Sequence, residues 1–100
     1  MYIIKVAQLE NKNQFIIYNK SKIYFQSYSS IICEINPQRK TPVKLYPDYE
    51  YSKTTSKHLY IFLDMYANNV VRSRLYNAKN KRKELAKMIK EGVILYEKNY

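Results

Sequence analysis

Twelve consecutive residues hold the densest mixture of hydroxyls, cations and aromatic rings in the chain: Tyr49-Glu50-Tyr51-Ser52-Lys53-Thr54-Thr55-Ser56-Lys57-His58-Leu59-Tyr60. A helix that starts here offers unpaired N–H groups and a partial positive charge in its first turn. The hydroxyls of Ser52, Thr54, Thr55 and Ser56 and the cations Lys53 and Lys57 complete what is needed to hold a phosphate. The same residues also serve for ordinary capping, with Thr54 or Thr55 as the cap and the lysines solvated. No glycine-rich loop accompanies them, so the stretch is not a nucleotide-binding P-loop.

Other reactive side chains are isolated. His58 is the only histidine, and Asp64, six residues on, falls on a different helix face, so His58 reads as a surface or boundary residue. Cys33, the only cysteine, has no disulfide partner within the chain and reads as a small buried hydrophobe. Asp48, Glu50 and Asp64 form no acid–base pair, and no cluster has the spacing of a metal site. Neither catalysis nor a cofactor nor a small-molecule substrate is expected.

Charge is the stronger signal. The net charge is +10 over 100 residues, and nine Lys or Arg against three Glu lie between 68 and 98. A field of that sign attracts nucleic acid, an anionic membrane or an acidic protein. Arg72, Arg74, Lys79, Lys81, Arg82 and Lys83, with Lys53, Thr54, Thr55 and Lys57 at the helix start, are the candidate phosphate contacts. The alternative is a solvated helix face. Tyr28 and Tyr51 are candidate stacking or rim residues. Tyr18, Tyr24 and Tyr28 either share an open sheet face, where rings stack on bases, or pack in the core. The Lys, Ile, Asn and Tyr bias alone carries no function, since AT-rich coding also produces it.

Elements must position these groups. Residues 2–9 and 14–18 read as a hairpin with a turn at Glu10-Asn11-Lys12-Asn13. Asn19-Lys20-Ser21-Lys22 is a second turn, with asparagine suited to left-handed geometry. Period two runs from 23 to 35, with odd positions buried, as one long strand. Ser27 and Ser29 interrupt its buried face, as at a bulge or where a helix packs closely. Two prolines make 36–42 a loop, and 43–46 is a fourth short strand. The period then changes. Leu59, Phe62, Leu63, Tyr66 and Val70 mark one helix face. Val71, Leu75 and Ala78, then Leu85, Met88 and Ile89, mark a second, which Asn77 or Asn80 can interrupt. Gly92 sits where a helix C-terminus needs positive φ. Val93-Ile94-Leu95-Tyr96 is a strand or tail able to join the sheet edge.

One domain over 1–100 follows: α+β, an antiparallel sheet of three to five strands with two helices packed on one face. Residues 1–47 are mainly strands, 48–92 mainly helices, and 93–100 a short strand or tail. No apolar run approaches the roughly 18 residues that cross a bilayer, and Met1-Tyr2-Ile3-Ile4-Lys5 lacks a signal-peptide layout. A cytoplasmic protein without a membrane partner is expected.

Three blocks also carry a resemblance: Phe25-Gln26-Ser27-Tyr28-Ser29-Ser30-Ile31-Ile32, then Tyr49-Glu50-Tyr51-Ser52-Lys53-Thr54-Thr55-Ser56-Lys57-His58, then Phe62-Leu63. With Met88-Ile89-Lys90-Glu91-Gly92, the pattern over about 23–95 resembles a small family of unknown function from bacteriophages and their low-GC Gram-positive hosts. The longer loop 36–42 and the more basic helix after 70 depart from it. The resemblance implies a phage or prophage setting and supplies no catalytic residues. The expected function is therefore non-enzymatic binding of nucleic acid, DNA or RNA, through a basic helical face and the Thr/Lys-rich helix start. The alternative is an anti-defence, anti-CRISPR-like inhibitor that docks on a host effector or nucleoprotein complex. A homodimer is left open.

Overall fold

β-Branched and aromatic residues alternate with polar ones through the first half of the chain, and there it folds as a meander. A computed structural model describes residues 4–8 and 13–98. Strands β1 (Ile4–Gln8), β2 (Gln14–Asn19), β3 (Lys22–Ser27), β4 (Ser30–Ile35) and β5 (Val43–Leu45) pair antiparallel in chain order. The expected strand residues Tyr2, Ile3 and Leu9 and the turn residues Glu10, Asn11 and Lys12 lie outside the described residues. At the next turn the left-handed residue is Lys20 (φ 56°), not Asn19, because Asn19 is already paired with Lys22.

The expected single strand 23–35 is two strands. They are joined by a two-residue turn in which Tyr28 adopts φ 56°. A ring-bearing residue rarely takes this conformation. It is held by its own N–H, which donates to the Asn13 carbonyl (2.7 Å), and by Gln26 Nε2, which donates to the Tyr28 carbonyl (2.7 Å). The turn was hidden by a compensating irregularity. Ser27 pairs with Ser30, which would move the buried phase to even positions. The register then slips, Gln26 facing Ile31 and Phe25 facing Cys33, so Ile32 is the extra residue of a bulge. The buried phase returns to Cys33 and Ile35, and period two looks unbroken. Cys33 is fully buried, as expected, and burial raises its thiol pKa.

The second half is helical. A 3-10 turn (Pro47–Glu50) leads into α1 (Lys53–Tyr66), followed by α2 (Asn69–Asn77), α3 (Lys81–Lys90) and a sixth strand, β6 (Leu95–Tyr96). Among the described residues the sheet thus has six strands and three α-helices accompany it, where three to five and two were expected. Moreover, β6 pairs parallel with β5, so the sheet is not wholly antiparallel. The α+β class stands. α1 ends before Val70, which is left 53 % exposed on α2, because the chain turns extended at Ala67 and Asn68. Asn77 ends α2 and Asn80 caps α3, as their side chains allow. Gly92 (φ 78°) closes α3, its N–H donating to the Ile89 carbonyl and that of Val93 to Met88, the paired bonds of a Schellman motif.

α1 lies directly on β2, β3 and β4; α2 packs on α1, and α3 on α2. Phe25 stacks on Phe62 at 5.7 Å, and one buried cluster runs from Ile16 to Ile94. No helix among the described residues is long and apolar enough to cross a membrane.

Candidate functional site

The start of α1 is capped by Ser52. Its hydroxyl accepts from the Thr55 N–H (3.1 Å), where Thr54 or Thr55 was expected to cap. Thr55 is fully buried, and its hydroxyl contacts those of Ser52 (3.1 Å) and Ser27 (2.8 Å). It therefore cannot meet an external anion. It ties α1 to the β3–β4 hairpin, which is the close helix contact that Ser27 on a buried face implies. Ser52→Ala should destabilise the fold by about 1 kcal/mol, read as a lower urea midpoint at unchanged slope. His58 is also buried rather than superficial, its Nδ1 within 2.8 Å of the Thr54 carbonyl oxygen.

Beside this capped start the hairpin turn and the 3-10 turn enclose an open pocket of about 540 Å³. Tyr28 and Tyr51 stand on it, and Ser30, Asp48, Thr54 and Ile32 are among its lining. Two of the sequence blocks that carry the resemblance, the one at 25–32 and the Ser/Thr/Lys one, meet here. Tyr18 and Tyr24 do not join Tyr28 on one face. Tyr18 packs inward against Tyr66, while Tyr24 lies on the outer face opposite Glu34.

A groove leads away from the pocket along α1. Lys53, Ser56, Tyr60 and Asp64 are spaced at i, i+3, i+7 and i+11, so they form one stripe. The first turn of α3 comes near that stripe, with Arg82 and Lys81 each walling a cleft beside it. Arg82 Nε reaches Glu50 Oε1 at 2.7 Å, and a cleft of about 310 Å³ is bounded by Ser52, Lys53, Ser56 and Arg82. Next along α1, Tyr60, Asp64, Arg72, Tyr76 and Lys81 surround about 280 Å³. The Tyr60 hydroxyl pKa is raised, by burial first and then by Glu50, with Arg82 opposing. The fold therefore brings Lys53, Arg72, Lys81 and Arg82 together, although up to 29 residues separate them in sequence.

Not every predicted cation is free. Arg74 is held by Glu84 (2.6 Å) and Glu91 (2.8 Å), and it keeps the Glu91 carboxyl below the usual range. It joins α2 to α3, and its guanidinium is occupied by these two carboxylates. Arg82 is exposed but shared with Glu50. Lys53, Lys57, Arg72, Lys79, Lys81 and Lys83 make no ion pair among the described residues; Lys57 is exposed on α1 and Lys79 in the α2–α3 turn. Lys87 and Lys90 were missed. At i+4 and i+7 from Lys83 they share its outward helix face, and that spacing was the available signal. Tyr60, Tyr76 and Asp48 were missed too, because only the packing of α2, α3 and the 3-10 turn places them.

The sequence model of one family of unknown function, DUF8033, matches residues 4–83. The chain belongs to that family. The matched segment runs from β1 into the first turn of α3, so it contains the pocket and groove and omits Lys87 and Lys90. No curated protein and no solved structure matches the chain.

Proposed function

We propose that the protein binds nucleic acid without catalysing a reaction, using the α1 groove and the adjoining outer face of α3 as a phosphate-contacting surface. A bacterial cell, in a phage or prophage setting, is the context of this reading. One observation carries it. Lys53 occupies the first position of α1, and Lys81, Arg82 and Lys83 occupy the first three of α3. The macrodipole disfavours cations there, by about 0.3–1 kcal/mol each at low salt. Two such helix starts face each other across one cleft, with Glu50 as the ion-pair partner of Arg82. An arrangement opposed by local electrostatics is explained if a polyanion completes it.

Fluorescence anisotropy with single-stranded and duplex oligonucleotides tests this. About four phosphate contacts give a log–log salt slope near −3 between about 50 and 200 mM. Absence of binding at low salt, or a slope near zero, overturns the reading and favours a host protein partner.

A further inference from the structure

We infer that the pocket between the β3–β4 turn and the 3-10 turn receives one unstacked nucleobase, with Asp48 selecting guanine. The inference rests on the nucleic-acid reading for the strand that supplies the base. The pocket's volume, about 540 Å³, falls in the range of small-molecule sites, about 300–1,000 Å³. Its two rings are not core residues: Tyr28 is 48 % and Tyr51 72 % exposed. Tyr28 is held in a left-handed conformation that glycine or asparagine would adopt more readily. Packing does not require a ring there, whereas a stacking platform does.

Asp48 sets the chemistry. Its Oδ2 accepts from Ser30 Oγ at 3.0 Å, which orients the carboxylate and leaves a lone pair on Oδ2 as well as the whole of Oδ1 for a ligand. An ionised carboxylate only accepts. Guanine offers two parallel N–H donors, N1–H and N2–H, matching its two oxygens. Cytosine and adenine offer one amino group on that edge. Uracil and thymine offer one N–H between two carbonyl oxygens, which repel a carboxylate. The neighbouring cleft shares Ser52 with the pocket and brings Lys53 and Arg82, a place for the flanking phosphate.

Nucleosides carry no phosphate, so they probe the pocket apart from the basic groove. Guanosine, cytidine and uridine are titrated into the protein while the Tyr28 and Tyr51 ring protons are followed by NMR. Guanosine should shift both rings and bind about tenfold tighter than uridine. Asp48→Asn, whose amide oxygen can still accept from Ser30, should reduce that preference to near unity. Tyr28→Gly should abolish the Tyr51 shifts while leaving the thermal midpoint unchanged or higher, since glycine relieves the φ strain. No ring shift at millimolar nucleoside, or equal affinities that Asp48→Asn does not alter, overturns the inference. Steep salt-dependent oligonucleotide binding without nucleoside binding rejects the pocket alone. Nucleoside binding without oligonucleotide binding instead rejects the groove.

Discussion

Lys53→Gln, Arg72→Gln and Lys81→Gln combined should weaken oligonucleotide binding about a hundredfold at 0.1 M salt and flatten the salt slope by about 2–3. Each phosphate contact contributes about 0.7–0.9 to the slope. Three lost contacts therefore remove a little over two decades at 0.1 M relative to 1 M salt. The same substitutions should not destabilise the fold. Lys53 and Arg72 are exposed and Lys81 half-exposed, and none has an ion-pair partner among the described residues. Removing positive charge from the starts of α1 and α3 relieves the dipole conflict, so a small rise in the thermal midpoint is expected, largest at low salt. Lys22→Gln with Lys40→Gln is the control, since both are exposed and neither lines the groove. Its slope should stay within one contact of wild type. If the control and the triple variant lose slope equally, binding follows net charge and the groove has no part in it.

Opposite movements of stability and affinity would also explain what the sequence did and did not show. Charge density, the Ser/Thr/Lys block and the helix breaks at Asn77 to Asn80 and at Gly92 depend on neighbours in the chain, and these were legible. The pairing of Arg74 with Glu84 and Glu91 crosses between helices, so the periodicity of either helix alone gave no sign of it. Thr55 illustrates the same limit. Its hydroxyl fits an anion site and a buried tie equally well until Ser27 is placed 2.8 Å away. The β3–β4 turn failed for another reason. A two-residue turn and a one-residue bulge shift the buried phase in opposite senses, and together they mimic a continuous strand. Tyr28 could not signal the turn because its residue type argues against the backbone it adopts. That turn is a site where a local rule is broken, and the pocket is built on it.

Arg39→Met should destabilise the protein by about 2–3 kcal/mol at neutral pH, and that gap should close as the pH falls. Glu34 lies buried on the outer face of β4, 5 % exposed. Arg39, from the 36–42 loop, meets it at 2.6 Å and also donates to the Thr41 (2.9 Å) and Pro42 (3.0 Å) carbonyls. Removing one partner of a fully buried pair costs about 3–5 kcal/mol; here Arg39 is partly solvated and Lys44 stays 3.9 Å from the carboxylate, which lowers the figure. Burial pushes the Glu34 carboxyl upward, but the Arg39 hydrogen bond, Lys44, the Arg39 charge and the Tyr24 hydroxyl together hold it below the ordinary range. Its stabilisation is thus complete above the unfolded value, about 4.3, and is lost as pH falls from there through the lower folded value. Without Arg39 the burial remains and the chief opposition is gone, so the folded carboxyl should titrate above the ordinary range. The sign reverses: the variant loses stability as pH rises through that raised value, and wild type and variant converge in acid. Urea denaturation of both proteins between about pH 3 and 7 reads the gap. A gap that stays constant over that range would mean that Arg39 acts by closing the loop through its two carbonyl contacts and not by compensating a buried charge.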